Sequence, residues 1–149
     1  MAVEPRTQPS TVRLLDRLRA RGWRVTAQRR AVAEALEGEH VHLTVDEVHR
    51  GAKERLPEVS LATVYNTLNE LVAMGEVGEV RCVPGPSRYD PNVGTTPHHH
   101  LVCTGCGTLF DVLPEGVDGL QLPAAERHGF ALADVEVTFR GRCAACSAA

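Results

Sequence analysis

Apolar positions recur with helical spacing through the first half of the chain. Leu14, Leu15 and Leu18, with Val12 before them, define a short amphipathic helix that ends near Gly22. Thr26 can cap a second helix, whose apolar face uses Ala31, Val32, Ala35 and Leu36 and which stops at Gly38. Thr44-Val-Asp-Glu47 has the form of a capping box, so a third helix starts at Thr44 and runs to about Leu56, with Pro57 just beyond. Ser60 is the N-cap of a fourth helix, in which Leu61, Val64, Tyr65, Leu68, Leu71 and Val72 recur at helical spacing up to Gly75.

The pattern then shortens. Val77 to Val83 and Ser87 to Asp90 flank Pro84-Gly85-Pro86 and read as a β-hairpin. Helices followed by such a hairpin describe a winged helix-turn-helix over residues 1–90, and 91–97 read as a hinge linker. Residues 98–149 form a second unit. It is expected to hold a strand from Thr108 to Leu113, a helix within 115–128 interrupted or started at Pro123, and a partly alternating strand from Phe130 to Arg140. The fold class is α+β. A unit as small as the second rarely has enough core and needs a metal or a partner subunit.

Composition narrows the class. A chain of 149 residues is one ordinary domain or two small ones, and it has no apolar run long enough to span a membrane. The start, MAVEPRTQPSTVR, lacks the apolar stretch of a secretory signal, so a reducing, cytoplasmic setting is expected. Only six aromatic residues argue against a stacking platform for single strands. The net charge of −3 hides an asymmetry: residues 1–30 carry +6, all of it from arginine, and the remainder carries −9. A basic arm on an acidic body suggests a polyanion at one end.

The fourth helix says which one. Its remaining face carries Ala62, Thr63, Asn66, Thr67 and Asn69, small or hydrogen-bonding residues without strong charge. That suits an element that enters the major groove of double-stranded DNA and reads base edges, whereas a solvated face would be richer in Glu and Lys. It also weighs against an adaptor without a DNA role.

Two sets of residues carry metal chemistry. Cys103-Thr-Gly-Cys106 and Cys143-Ala-Ala-Cys146 supply four thiolates, which match one tetrahedral structural zinc per chain. The pairs lie far apart in sequence, so a shared ion ties the start of the second unit to its end. A redox dithiol needs one such pair at a helix start near a βαβ unit, and neither context is present. Cys82 stands apart and reads as a small buried residue.

The second set starts from His98-His-His100, where strand alternation puts His98 and His100 on one face. Asp90 and Asp111 are candidate carboxylates, and His42 is a candidate from the first unit, with His40 and His49 as competitors. Mixed imidazole and carboxylate ligands suit Fe(II), Mn(II) or Zn(II), one ion per chain. No H-E-x-x-H or comparable motif supports a metal-assisted hydrolase, so the chain is not expected to be an enzyme.

Four segments, Gly22-Trp-Arg-Val-Thr-Ala-Gln-Arg29, Ser60-Leu-Ala-Thr-Val-Tyr-Asn-Thr-Leu68, His98-His-His-Leu-Val-Cys-Thr-Gly-Cys-Gly107 and Gly141-Arg-Cys-Ala-Ala-Cys146, occur in this order. With them the chain resembles the ferric uptake regulator (Fur) family over residues 10–147. The resemblance implies a homodimeric, metal-activated repressor with an N-terminal winged helix and a C-terminal α/β dimerisation domain. It implies structural zinc at Cys103, Cys106, Cys143 and Cys146.

Within the family the chain looks most like the peroxide-sensing PerR branch. That likeness implies a regulatory Fe(II) or Mn(II) site at His42, Asp90, His98, His100 and Asp111. The last position is typically Glu in iron and zinc sensors and Asp in peroxide sensors. In that branch Fe(II) and peroxide convert a ligand histidine, by match His42 or His98, to 2-oxo-histidine, and DNA is released. The alternative is an iron, manganese or zinc uptake regulator that responds to metal level alone. The resemblance also implies DNA contacts by Tyr65 and Asn66 on the reading helix and by Arg24 in the minor groove; the arginines of the first helix are expected to bind phosphates and make affinity salt-dependent. Asn66 is itself suited to pairing with adenine, and Thr63 and Thr67 lie on the same predicted face. The chain departs from some iron sensors at Val135 and Pro97, where a further metal site has histidines, and at Asn66, where many have Arg.

Overall fold

The computed structural model describes residues 13–38, 41–81, 85–92 and 98–148. Val12, His40, Cys82, Val83, Pro84 and most of the expected linker lie outside the described residues. Two compact units divide the chain; one holds the described residues up to Asn92, the other those from His98.

The first unit is built on four helices, α1 (Leu14–Ala20), α2 (Ala27–Ala35), α3 (Val45–Arg55) and α4 (Leu61–Ala73). Three expected caps are in place. Thr26 Oγ1 accepts from the Arg29 amide at 3.2 Å, and Ser60 Oγ accepts from the Thr63 amide at 3.1 Å. Thr44 closes a full capping box: its hydroxyl accepts from the Glu47 amide, and the Glu47 carboxylate accepts from the Thr44 amide at 2.7 Å. Each cap satisfies amides that the helix geometry leaves without an internal partner.

These helices pack Leu18, Val32, Leu36, Val48, Val64, Leu68 and Leu71 into one core in which each is fully buried. Burying a side chain of this size stabilises the fold by roughly 1.5–3 kcal/mol before conformational entropy is subtracted. On α4 the buried stripe is Val64, Thr67, Leu68 and Leu71. This corrects the sequence reading at two points. Tyr65 and Leu61, placed among the apolar positions, are exposed, while Thr67, placed on the reading face, is 4% exposed. The Thr67 hydroxyl donates to the Thr63 carbonyl at 2.8 Å, which satisfies it inside the helix.

A small antiparallel sheet completes the unit. Strands β1 (Leu43–Thr44), β2 (Gly78–Val80) and β3 (Arg88–Asp90) run in the order β1-β3-β2, with Leu43 opposite Tyr89 and Glu79 opposite Tyr89 on its other side. The β2–β3 pair is the expected wing, shorter than the sequence suggested. β1 was not anticipated.

The second unit is a three-stranded sheet, β5 (Leu109–Val112), β4 (His99–Cys103) and β6 (Thr138–Gly141), in that spatial order. β4 is antiparallel to β5 and parallel to β6. A four-residue helix, α5 (Ala144–Ser147), follows. The expected helix within 115–128 is replaced by two single 3₁₀ turns, Val117–Gly119 and Ala124–Glu126. Gly116, Gly119 and Pro123 break the segment, and neither turn has a buried side chain to hold a longer helix. The expected strand from Phe130 to Arg140 forms only from Thr138. Among the described residues, no helix is long and apolar enough to cross a membrane.

Candidate metal centres and nucleic-acid interface

The four cysteines converge. Cys103 ends β4, Cys106 lies on the turn after it, and Cys143 and Cys146 flank the start of α5. One sulfur atom from each lies within 4.8 Å of the others, and the Cys106 and Cys143 sulfurs are 3.9 Å apart. Backbone amides point at the sulfurs: Cys106 N and Cys143 N donate to Cys103 Sγ at 3.5 and 3.3 Å, and Cys146 N donates to Cys143 Sγ at 3.4 Å. Those amides, led by that of Cys143, pull the Cys103 thiol down to about 5. The neighbouring sulfurs, led by Cys143, push Cys146 up to about 12.

Two glycines make this approach possible. A Cβ at Gly105 would sit 2.9 Å from Cys146 Sγ, so a side chain there would force the two cysteine loops apart. Gly107 has φ +75°, a conformation that closes the first loop through its amide on the Cys103 carbonyl at 2.9 Å. Thr104 fastens the loop to β6 by donating both its amide and its hydroxyl to the Gly141 carbonyl. Four sulfurs held this close by rigid loops fit a tetrahedral thiophilic cation.

The histidine and aspartate residues form a pair in the first unit and a triplet in the second. His42 precedes β1 and Asp90 ends β3; extending the strand register sets them opposite each other. Both are buried, with His42 Nε2 3.5 Å from Asp90 Oδ2. Asp90 is oriented by the Asn92 amide, which donates to Oδ1 at 2.8 Å. Of the competitors, His49 is occupied elsewhere: its Nε2 lies 3.0 Å from the Val59 carbonyl. His40 is outside the described residues.

In the second unit, His100 on β4 stands directly across from Asp111 on β5. Asp111 Oδ1 lies 3.7 Å from Nε2 of His98 and 3.7 Å from Nε2 of His100, and the two imidazoles meet edge to face. His99 faces elsewhere and accepts from the Val137 amide through Nδ1 at 3.0 Å. Sequence reasoning missed Glu136, whose carboxylate lies 3.0 Å from His100 Nδ1. That contact leaves Nε2 turned toward Asp111, the arrangement by which a carboxylate orients a metal-binding imidazole. Only its distance in sequence hid it.

The reading face lies on α4. Tyr65 and Asn66 are exposed, Thr63 is half-buried and Thr67 is turned inward. Arg24 is exposed on the segment before α2 and lines a cleft of about 500 Å³ together with Thr63, Asn66 and Glu70 of α4. The first-helix arginines are engaged within the fold. Arg17 and Arg21 both reach Glu76, and Arg17 also donates to the Pro91 carbonyl, while Arg13 pairs with Glu37. Arg17 is thereby turned into the fold, while Arg13, Arg19 and Arg21 keep about half or more of their side chains exposed.

Comparison with known proteins places these features in context. The model of the ferric uptake regulator family matches residues 20–140. The chain is 39% identical over 122 residues to ferric uptake regulation protein 1 of Mycolicibacterium fortuitum, covering 82% of this chain and 74% of that one. It is 33% identical over 133 residues to the peroxide operon regulator of Bacillus subtilis, covering 89% and 90%. Among solved structures, a zinc-bound manganese uptake regulator superposes with a TM-score of 0.69 at 30% identity, covering 89% of this chain and 99% of that one.

Proposed function

Because the chain belongs to the ferric uptake regulator family, and is thus a metal-responsive transcriptional regulator and not an enzyme, we propose that it is a homodimeric repressor that holds operator DNA while Fe(II) or Mn(II) fills its regulatory site, and releases it on exposure to peroxide. His42 and Asp90 from the first unit, with His98, His100 and Asp111 from the second, are the proposed ligands. Zinc is proposed at Cys103, Cys106, Cys143 and Cys146, supported by the Gly105 cradle and the amide-lined sulfurs. A regulatory ion that draws ligands from both units couples its own binding to the spacing of the two reading helices in a dimer, and so to operator affinity.

The observation that carries the peroxide reading is Asp111. Its carboxylate lies 3.7 Å from both His98 and His100 on a side chain one methylene shorter than Glu, and so would reach less far around a bound ion than Glu would. Fe(II) held by these residues would activate peroxide by lending an electron that it recovers as the imidazole is oxidised, so peroxide is the net two-electron oxidant. The net change is insertion of one oxygen into the Cε1–H bond of His42 or His98, with water as by-product. Oxidation at this carbon would weaken the imidazole as a ligand, and with it the hold of His42, Asp90, His98, His100 and Asp111 on the ion that operator binding requires. A plain metal sensor is the second reading, favoured by the likeness to uptake regulators of iron and manganese.

Dimerisation is supported by an uncovered apolar row. Leu101 lies between Phe110 and Phe139 across β5-β4-β6, and all three are exposed. A second copy is the natural cover for such a row. DNA contact is assigned to Arg24, Thr63, Tyr65 and Asn66; Thr67 supports the helix from inside instead. The protein is placed in the cytoplasm, where its thiolates stay reduced.

The test is peptide mass analysis after anaerobic Fe(II) loading and a brief, near-stoichiometric dose of peroxide. The expected result is a single-oxygen addition on peptides holding His42 or His98, absent from His49 and His128 and blunted in Asp111→Glu. Unmodified ligands, or equal oxidation of the variant, would leave the metal-level reading standing in its place.

A further inference from the structure

Glu70 is an acidic residue on the stripe of α4 that also carries Thr63 and Asn66, which is a poor position for a carboxylate on a surface meant for DNA. Its surroundings explain it. Arg29 Nη2 donates to both Glu70 oxygens, at 2.9 and 2.7 Å. The indole N–H of Trp23 donates to Glu70 Oε1 at 3.0 Å. The Arg29 guanidinium also lies over the Trp23 ring, 4.9 Å from its centroid, and donates through Nη1 to the Arg24 carbonyl at 3.0 Å. Five contacts thus join three pieces of chain: the segment bearing Arg24, the start of α2, and the outer face of the reading helix.

Neutralisation alone needs one ion pair. Here one arginine nitrogen, Nη2, bridges both carboxylate oxygens, the other, Nη1, bonds a backbone carbonyl, and the guanidinium lies over an aromatic ring, so its position is held from three sides. Fixing Arg29 fixes the Arg24 backbone relative to α4. Arg24 and Asn66 are assigned to different grooves, so their relative placement decides whether both contacts form on one duplex.

We propose that Trp23, Arg29 and Glu70 form a positioning clamp that sets DNA specificity by holding Arg24 in register with the reading helix, while keeping Arg29 off the phosphates. The inference rests on the DNA-binding reading above. None of the three residues is assigned a contact with DNA. Opening the clamp therefore has a signature that simple loss of a contact lacks: discrimination falls while non-specific attraction rises, because a released Arg29 becomes available to a phosphate.

The test uses the full-length, Mn(II)-loaded protein. One probe is the duplex it enriches from a random-sequence library, the other the same duplex shuffled. Glu70→Gln is nearly isosteric and removes the charge that holds Arg29. Its ratio of specific to shuffled affinity is expected to fall about tenfold, as for one mismatched contact. The slope of log affinity against log salt should steepen by about one unit, as for one added phosphate contact. Arg29→Gln opens the clamp without releasing a cation, so its ratio should fall similarly with no steeper slope. Trp23 is the only tryptophan in the chain, so its emission reports the clamp directly and should shift in both variants. A Glu70→Gln protein that keeps the parent's ratio, slope or emission overturns the clamp. A parent that binds neither duplex overturns the DNA-binding reading itself, and this inference with it.

Discussion

The two units of this protein are held together by different means. The helical unit owns the continuous hydrophobic core, which runs from Leu14 to Tyr89 and includes Leu18, Leu36, Leu68 and Leu71 at full burial. Among its described residues, the second unit buries only Val102, Cys103 and Leu109 of its apolar side chains. It also carries nine of the eleven exposed large hydrophobics, Phe110, Phe130 and Phe139 among them. A domain of about fifty residues with so little inside cannot meet its conformational entropy by burial alone. On the proposed reading its fold leans on what binds it: a cation at the cysteines and a second copy over the apolar row. On the same reading the first unit reads DNA, and the second makes that reading conditional on metal.

Removing the cation is the largest blow to this contrast. Stripping zinc with a strong chelator, or Cys143→Ser, should collapse the second unit, because a structural zinc contributes roughly 10 kcal/mol or more, beyond the usual margin of a small domain. Amide hydrogen exchange should speed up across residues 98–148 and stay slow in α2 to α4, and sedimentation should show loss of the dimer. Unchanged protection in β4 to β6 would mean that this sheet stands without its metal. Leu68→Ala tests the other side with a smaller effect. It should destabilise the helical unit by about 2–5 kcal/mol in urea titration while zinc content stays at the parent level.

The same division decides what the sequence could tell. Helix caps are local, and Thr26, Thr44 with Glu47, and Ser60 could be read from neighbours three residues apart. The cysteine pairs were legible because each loop is local and the chemistry of four thiolates is narrow. Strand β1 was not, since two residues become a strand only by pairing with Tyr89 and Arg88, far along the chain. Glu136 was hidden for the same reason. Thr67 was misjudged on local grounds. Val64, Thr67, Leu68 and Leu71 follow the i, i+3, i+4, i+7 rule of a buried stripe, but the hydroxyl drew the residue to the polar side of the helix. The second unit was read worst because its segments have little core to impose a period. Residues 120–136 are exposed throughout, so the sequence there has no inside and outside to encode.

The smallest effect concerns Arg17 in α1 and Arg21 at its C-terminal cap, which tie the first unit together electrostatically through Glu76. Glu76 receives Arg17 Nε at 3.0 Å and Arg21 Nη1 at 2.9 Å, with 13% of its side chain exposed. Burial pushes the Glu76 carboxyl up, but hydrogen bonds from Arg17 and Arg21 outweigh it and hold the group below its ordinary value of 4.5. A carboxylate with a lowered folded pKa binds its proton more readily when unfolded. Its stabilising contribution is therefore complete above about pH 4.5 and is lost as pH falls through the lower folded value. Glu76→Gln should cost on the order of 1 kcal/mol at neutral pH, a modest figure because Arg21 is half exposed and screened by solvent. Urea titrations at a series of pH values should show parent and variant converging below pH 4.5, with the difference constant from there to neutrality. A gap that persists at low pH would mean that Glu76 holds the unit by shape and not by charge. The tie would then have to be sought in the Arg17 bond to the Pro91 carbonyl, which no proton can break.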